Sequence, residues 1–214
     1  MTNVLGDDFS QGKGAKATTH WKVNSLGAPP DTWTTKPAQA FDDGIGFAFG
    51  ADPYTRLFLT SNQGSGLLGD LTGKTLTATF TITGTATAFT YDPRVSSAEN
   101  EACPTPASVR LYFEGNHNGN NPHWTPDMQW WSTPQAYTLT SLVGNTLTLT
   151  VPLDTANWTD HGFELASDVP AEFAAAVASV GAVGVSFGGG CFLPTGAFPT
   201  DGTASFHLKS YSVS

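Results

Sequence analysis

Charge is scarce in this 214-residue sequence, and basic charge most of all: Asp, Glu, Lys and Arg make up 13%, with 9 Lys or Arg against 18 Asp or Glu. Globular domains usually devote about 25% of their residues to charge, so solubility here rests on Thr, Ser, Asn and Gly and on a net charge of -9. The shortage excludes nucleic acid, which needs a basic stripe to meet its phosphates. It also argues against anionic polysaccharides and acidic membrane surfaces, while neutral ligands and divalent cations stay open. Long apolar runs are missing too, so no membrane insertion is expected. The opening Met1-Thr2-Asn3-Val4 lacks a signal peptide's charged and apolar regions, and the expectation is a chain whose leader is already gone. Cysteine is reduced to Cys103 and Cys191. An isolated pair in a Thr-, Asn- and Gly-rich chain fits an oxidising compartment, hence a secreted or cell-surface protein with one disulfide; two inert buried thiols are the alternative.

What is present is alternation. Thr75–Thr83 reads TLTATFTIT, which sends Leu76, Ala78, Phe80 and Ile82 to one face and threonines to the other. Thr146–Leu153 repeats the pattern with Leu147, Leu149, Val151 and Leu153 inward. A period of two marks half-buried strands, and β-branched threonine suits the wet face of a pleated sheet. Further strands are expected at Gly44–Phe49, Arg56–Ser61, Thr87–Asp92, Ser108–Gly115, Met128–Ser132, Val183–Gly188 and Thr203–Val213, divided by Gly, Pro, Asn and Asp clusters. One helix is credible: Pro170–Val180 places Phe173, Ala176, Val177 and Val180 on one face, with Pro at its start and Gly181 after its end. No linker or repeat divides the chain. The expected fold is all-β, a two-sheet antiparallel jelly-roll sandwich spanning residues 1–214 as one domain, with one short crossover helix near 170–180.

Several passages carry a resemblance: RLFLTSNQGSGLLGDLTGKTLTATFTI, then WWSTPQAYTL, NTLTLTVPLDTANW, FAAAVASVGAVGVSFGGGCF and the closing strand Phe206–Val213. Their order resembles that of the laminin domain IV (laminin B) family and of jelly-roll carbohydrate-binding modules. The resemblance covers most of residues 8–213, in pattern rather than strict motif. It implies a ligand site on a concave sheet face or on the loops at one edge. It also implies a structural calcium held by carboxylates near the first strand, where Asp7 and Asp8 stand in a comparable place and Asp8 is the better candidate. A second carboxylate near the C-terminus to complete the cage is missing, and calcium wants six to eight oxygens.

The stretch from Arg110 to Trp131 holds the richest chemistry. With Val109, Leu111 and Phe113 inward, Arg110, Tyr112 and Glu114 share the outer face. An Asn/Gly loop follows with Asn116, His117 and Asn118, then His123 and Trp124, then Gln129, Trp130 and Trp131. Sugar recognition uses this mixture, because aromatic faces stack on pyranose rings while amides and charged groups bind hydroxyls. Trp131 is the expected exposed ring and Trp130 the core one; the plainer reading of Arg110 and Glu114 is a surface ion pair. A transition-metal reading takes Glu114, His117, His123 and Asp127, though their spacing matches no ligand signature. His20, His161 and His207 stand isolated.

Glycoside hydrolysis needs two carboxylates flanking the bond. Glu114 alone is mid-strand, with Asp127 its one evident partner, and no serine sits on a nucleophile elbow. The leading reading is a non-catalytic extracellular module that binds a neutral polysaccharide or glycan. A laminin-B-like structural protein with an extracellular protein partner comes second, and a jelly-roll glycan-active hydrolase or lyase third.

Overall fold

A computed structural model describes residues 5–9, 18–26, 33–50, 54–92, 106–116, 128–133, 137–189 and 195–214. Two antiparallel sheets face each other in a jelly-roll sandwich. The six-stranded sheet contains β1 (Leu5–Asp8), β4 (Gln39–Phe41), β5 (Gly44–Ala48), β7 (Thr75–Gly84), β12 (Thr146–Pro152) and β16 (Ala204–Val213). Its order is β12-β7-β16-β5-β4, with β1 also paired to β16. The ten-stranded sheet contains β2 (Trp21–Leu26), β3 (Trp33–Pro37), β6 (Tyr54–Thr60), β8 (Phe89–Tyr91), β9 (Ser108–Gly115), β10 (Gln129–Ser132), β11 (Tyr137–Thr138), β13 (Trp158–Asp160), β14 (Val180–Gly188) and β15 (Ala197–Pro199). Its path runs β13-β10-β9-β14-β6, and from β6 it continues through β2 to β3 on one branch and through β15 to β8 on another. The helices are α1 (Leu139–Leu142) and α2 (Pro170–Val177).

The alternating segments form strands because one face of each has somewhere dry to go. Leu76, Ala78, Phe80 and Ile82 of β7 are fully buried, and Leu149 and Val151 of β12 join them. Phe206 of β16 packs among Phe47, Phe58, Phe80 and Phe187, joining both sheets in one aromatic core. On the wet face Thr77 lies opposite Thr150 and Thr79 opposite Thr148, and their hydroxyls bond across the strands at 3.2 and 2.9 Å. Thr81 departs from the expected exposure: it is buried, and its hydroxyl donates to the Asn145 carbonyl at 2.7 Å.

Three differences from expectation have local causes. The strand foreseen at Thr87–Asp92 shortens to Phe89–Tyr91, because the Asp201 carboxylate takes the Thr87 and Ala88 amides and the Thr87 hydroxyl. The helix stops at Val177 and the strand after it begins at Val180, three residues before its expected start. Phe173 of that helix packs edge-on against Phe113 and Trp130, so α2 covers one end of the core. Finally, β2 and β3 go unannounced in the sequence, since Lys22, Asn24 and Pro37 are poor strand formers taken singly.

Candidate functional site

Alternation sorts β9 as foreseen. Val109, Leu111 and Phe113 enter the core, and Arg110, Tyr112 and Glu114 stand on the opposite face. Register then places Gln129 beside Glu114, Trp130 beside Phe113 and Trp131 beside Tyr112. Trp130 belongs to the core and Trp131 to the outer face, as assigned from sequence.

The correction concerns exposure. Trp131 is 1% exposed and Tyr112 0%, so neither ring is a free platform. Their centroids lie 5.2 Å apart, and with Leu57, Leu59 and Ala182 they make a second apolar cluster on the outer face. His161 adds an edge contact to Trp131 at 6.0 Å. Large neighbouring rings on one sheet face shield one another, which alternation by itself does not reveal.

Over this cluster lies a shallow cleft of about 200 Å³, lined by Lys22, Asn24, Thr35, Leu57, Leu59, Ser61, Tyr112, Glu114, Gln129 and Ala182. Gly184 stands between Tyr112 and Leu59 in register, where the backbone is so close that an added Cβ would run into the Phe58 carbonyl oxygen. Tyr112 donates its hydroxyl to Glu114 Oε2 at 3.0 Å. Burial pushes the Glu114 carboxyl up from its ordinary range, and the Tyr112 bond pulls it partly back. The Tyr112 phenol is raised by burial first, then by the Glu114 charge and hydrogen bond. Gln129 is 2% exposed and lines the cleft. Asn24 Oδ1 is buried and lacks a partner among the described residues. Buried polar groups are ordinarily bonded, so the open Asn24 carbonyl oxygen suits a ligand's hydroxyl.

Arg110 and Asn116 stand outside the lining of this cleft. Arg110 donates Nη1 to the Ser132 carbonyl at 2.9 Å, so it forms no ion pair with Glu114, and burial lowers its pKa. Asn116 is tied by its backbone amide to the Ser179 carbonyl, and its side chain sits over Gly181. His117, Asn118, His123, Trp124 and Asp127 lie outside the described residues, as do Cys103 and Cys191. Lys22, Asn24, Thr35 and Ser61 were missed from sequence; the only signal was the alternation of Trp21, Val23 and their polar neighbours. Trp33 was missed as well: it is 46% exposed on β3, with the Arg56 guanidinium 5.2 Å over its ring.

His207, read as isolated, is not. Its Nδ1 meets Asp43 Oδ1 at 2.6 Å, its Nε2 meets Thr83 Oγ1 at 3.2 Å, and Phe41 stacks on its ring. Asp8 is exposed on β1 opposite Ser210, while the Asp7 carboxylate accepts from Trp21 Nε1 at 3.4 Å. Among the described residues no three His, Cys, Asp or Glu side chains gather in one place.

No protein-family model and no curated protein matches the chain. Two solved structures are similar to it. The L4b domain of human laminin alpha-2 has 9% identity and a TM-score of 0.50, covering 94% of this chain and 93% of that one. A xylan-binding module, CBM15, has 14% identity and a TM-score of 0.46, covering 99% and 95%. At such identities the likeness to the laminin domain is one of fold: the chain is a two-sheet antiparallel β-sandwich.

Proposed function

We propose that this chain is a secreted, non-catalytic module that binds a neutral polysaccharide through the cleft on the outer face of the ten-stranded sheet. One observation carries the reading: the buried Asn24 Oδ1, without a protein partner among the described residues, borders the same cleft as Gln129 and the Glu114 carboxyl. Planar amides and carboxyls bind sugar hydroxyls as donor and acceptor at once, and the apolar floor of Leu57, Leu59 and Tyr112 suits the C–H faces of a pyranose. Among the described residues one carboxylate, Glu114, lines the cleft, whereas glycoside hydrolysis calls for two.

The test is a pull-down on insoluble neutral polysaccharides together with a glycan array, using the wild type and the Asn24→Ala/Gln129→Ala double variant. Binding by the wild type, weakened about ten-fold or more in the variant, is the expected result, since each lost hydrogen bond costs about 1 kcal/mol. Wild-type protein that retains no glycan sinks the reading and leaves the laminin-like protein-binding alternative. Glycan release during incubation turns it into an enzyme.

A further inference from the structure

Resting on the sugar-binding reading of the cleft, we infer that its ligand is the interior of an extended polysaccharide running across the strands, with Trp33 as the stacking platform at the β3 end. The cleft residues do not cluster around one strand end. In sheet order they are Gln129 on β10, Glu114 on β9, Ala182 on β14, Leu57 and Leu59 on β6, Lys22 and Asn24 on β2, and Thr35 on β3. Neighbouring strands lie about 4.8 Å apart, so five intervals carry this row across roughly 24 Å. A cavity of about 200 Å³ drawn out over that width is a trough rather than a pit. A trough of this form fits successive rings of a chain; a pocket for one terminal ring would converge on a few neighbouring residues.

Trp33 stands where the trough reaches β3. The pairings Trp33 with Leu26, Thr35 with Asn24 and Pro37 with Lys22 put Trp33 on the same face as Thr35, two residues away, hence about 7 Å along the strand. A lone exposed tryptophan needs no explanation; this one is distinguished by standing on the face of the cleft, beside its β3 end. Its ring is also held in place. The Arg56 guanidinium lies over it, Arg56 reaches Asp92 at 3.7 Å, and Asp92 is 1% exposed. A buried carboxylate thus anchors the arginine and the arginine orients the indole, which lowers the ordering cost of stacking on a sugar ring.

Calorimetric titration with cello- and xylo-oligosaccharides, from the monomer to the hexamer, tests the inference on wild type, Trp33→Ala and Trp33→Phe. Affinity is expected to climb with chain length, and capping the reducing end should change nothing. Trp33→Ala should weaken the longest oligomer roughly ten-fold, the scale of an aromatic anchor, and spare the shortest oligomer that binds. Trp33→Phe should recover most of that loss, and thermal midpoints should stay level because the ring is half exposed. Affinity independent of length, dependence on the reducing end, or equal behaviour of wild type and Trp33→Ala toward the hexamer overturns the extended-chain inference while leaving the cleft reading standing. Wild-type protein that binds no saccharide at all removes both.

Discussion

At Trp131 the face is right and the exposure is not, and the consequence is measurable. The ring is enclosed by Tyr112, Leu57, Leu59 and Ala182, so its removal opens a hole in a packed cluster. Trp131→Ala and Tyr112→Ala should each cost about 3–5 kcal/mol in chemical denaturation, the range for buried aromatic truncations. A loss below about 1 kcal/mol would mean that the outer cluster is not packed as described. Glu114 makes a second prediction. Its carboxyl is raised by burial, so between the ordinary carboxylate range and its own higher value the folded state holds a proton that the unfolded state has released. Stability is then fully present at acid pH and falls as pH rises through that window. Glu114→Gln keeps an acceptor for the Tyr112 hydroxyl and removes the titration, so its stability curve should be flatter from acid to neutral pH. Parallel curves for the two proteins would contradict this.

The elements divide by how much of their pattern is local. β7 and β12 were readable because strict alternation needs no knowledge of the partner strand; the pairing Leu149 with Ala78 follows from two dry faces meeting. Phe80→Ala should cost about 2–5 kcal/mol, as buried large-to-small changes do, while Thr77→Ala should stay below about 1 kcal/mol, since its hydroxyl bonds Thr150 at an exposed position. Equal losses at the two positions would invert the assigned faces. β2 shows the opposite case. Trp21 and Val23 face the core, and Lys22 and Asn24 complete the cleft, yet six residues with a Lys and an Asn among them carry too little signal alone. The strand exists because β6 and β3 pair with both of its edges.

For the whole molecule, the sandwich places Ser108 at the start of β9 opposite Gly188 at the end of β14. The segments that lead to Cys103 and Cys191 therefore leave the sheet from adjoining positions, which supports the proposed disulfide and, with it, secretion. Peptide mapping without reductant should show the two cysteines cross-linked, and reduction should cost about 4–5 kcal/mol in the chain-entropy account of so long a loop. Two alkylated thiols would end the proposal. Composition and the period of two determined the fold class, the dry faces of β7, β9 and β12 and the split between Trp130 and Trp131, and the helical spacing of Phe173, Ala176 and Val177 determined α2, because each depends on near neighbours in the chain. The site depended on contacts across the sheet. The burial of Trp131 and Tyr112, the arrival of Lys22, Asn24 and Thr35 in one cleft with Glu114 and Gln129, and the ring of Trp33 beside its β3 end were decided by strand order and register. Those are set by which dry faces pack together, a sum over the whole chain that no local pattern contains.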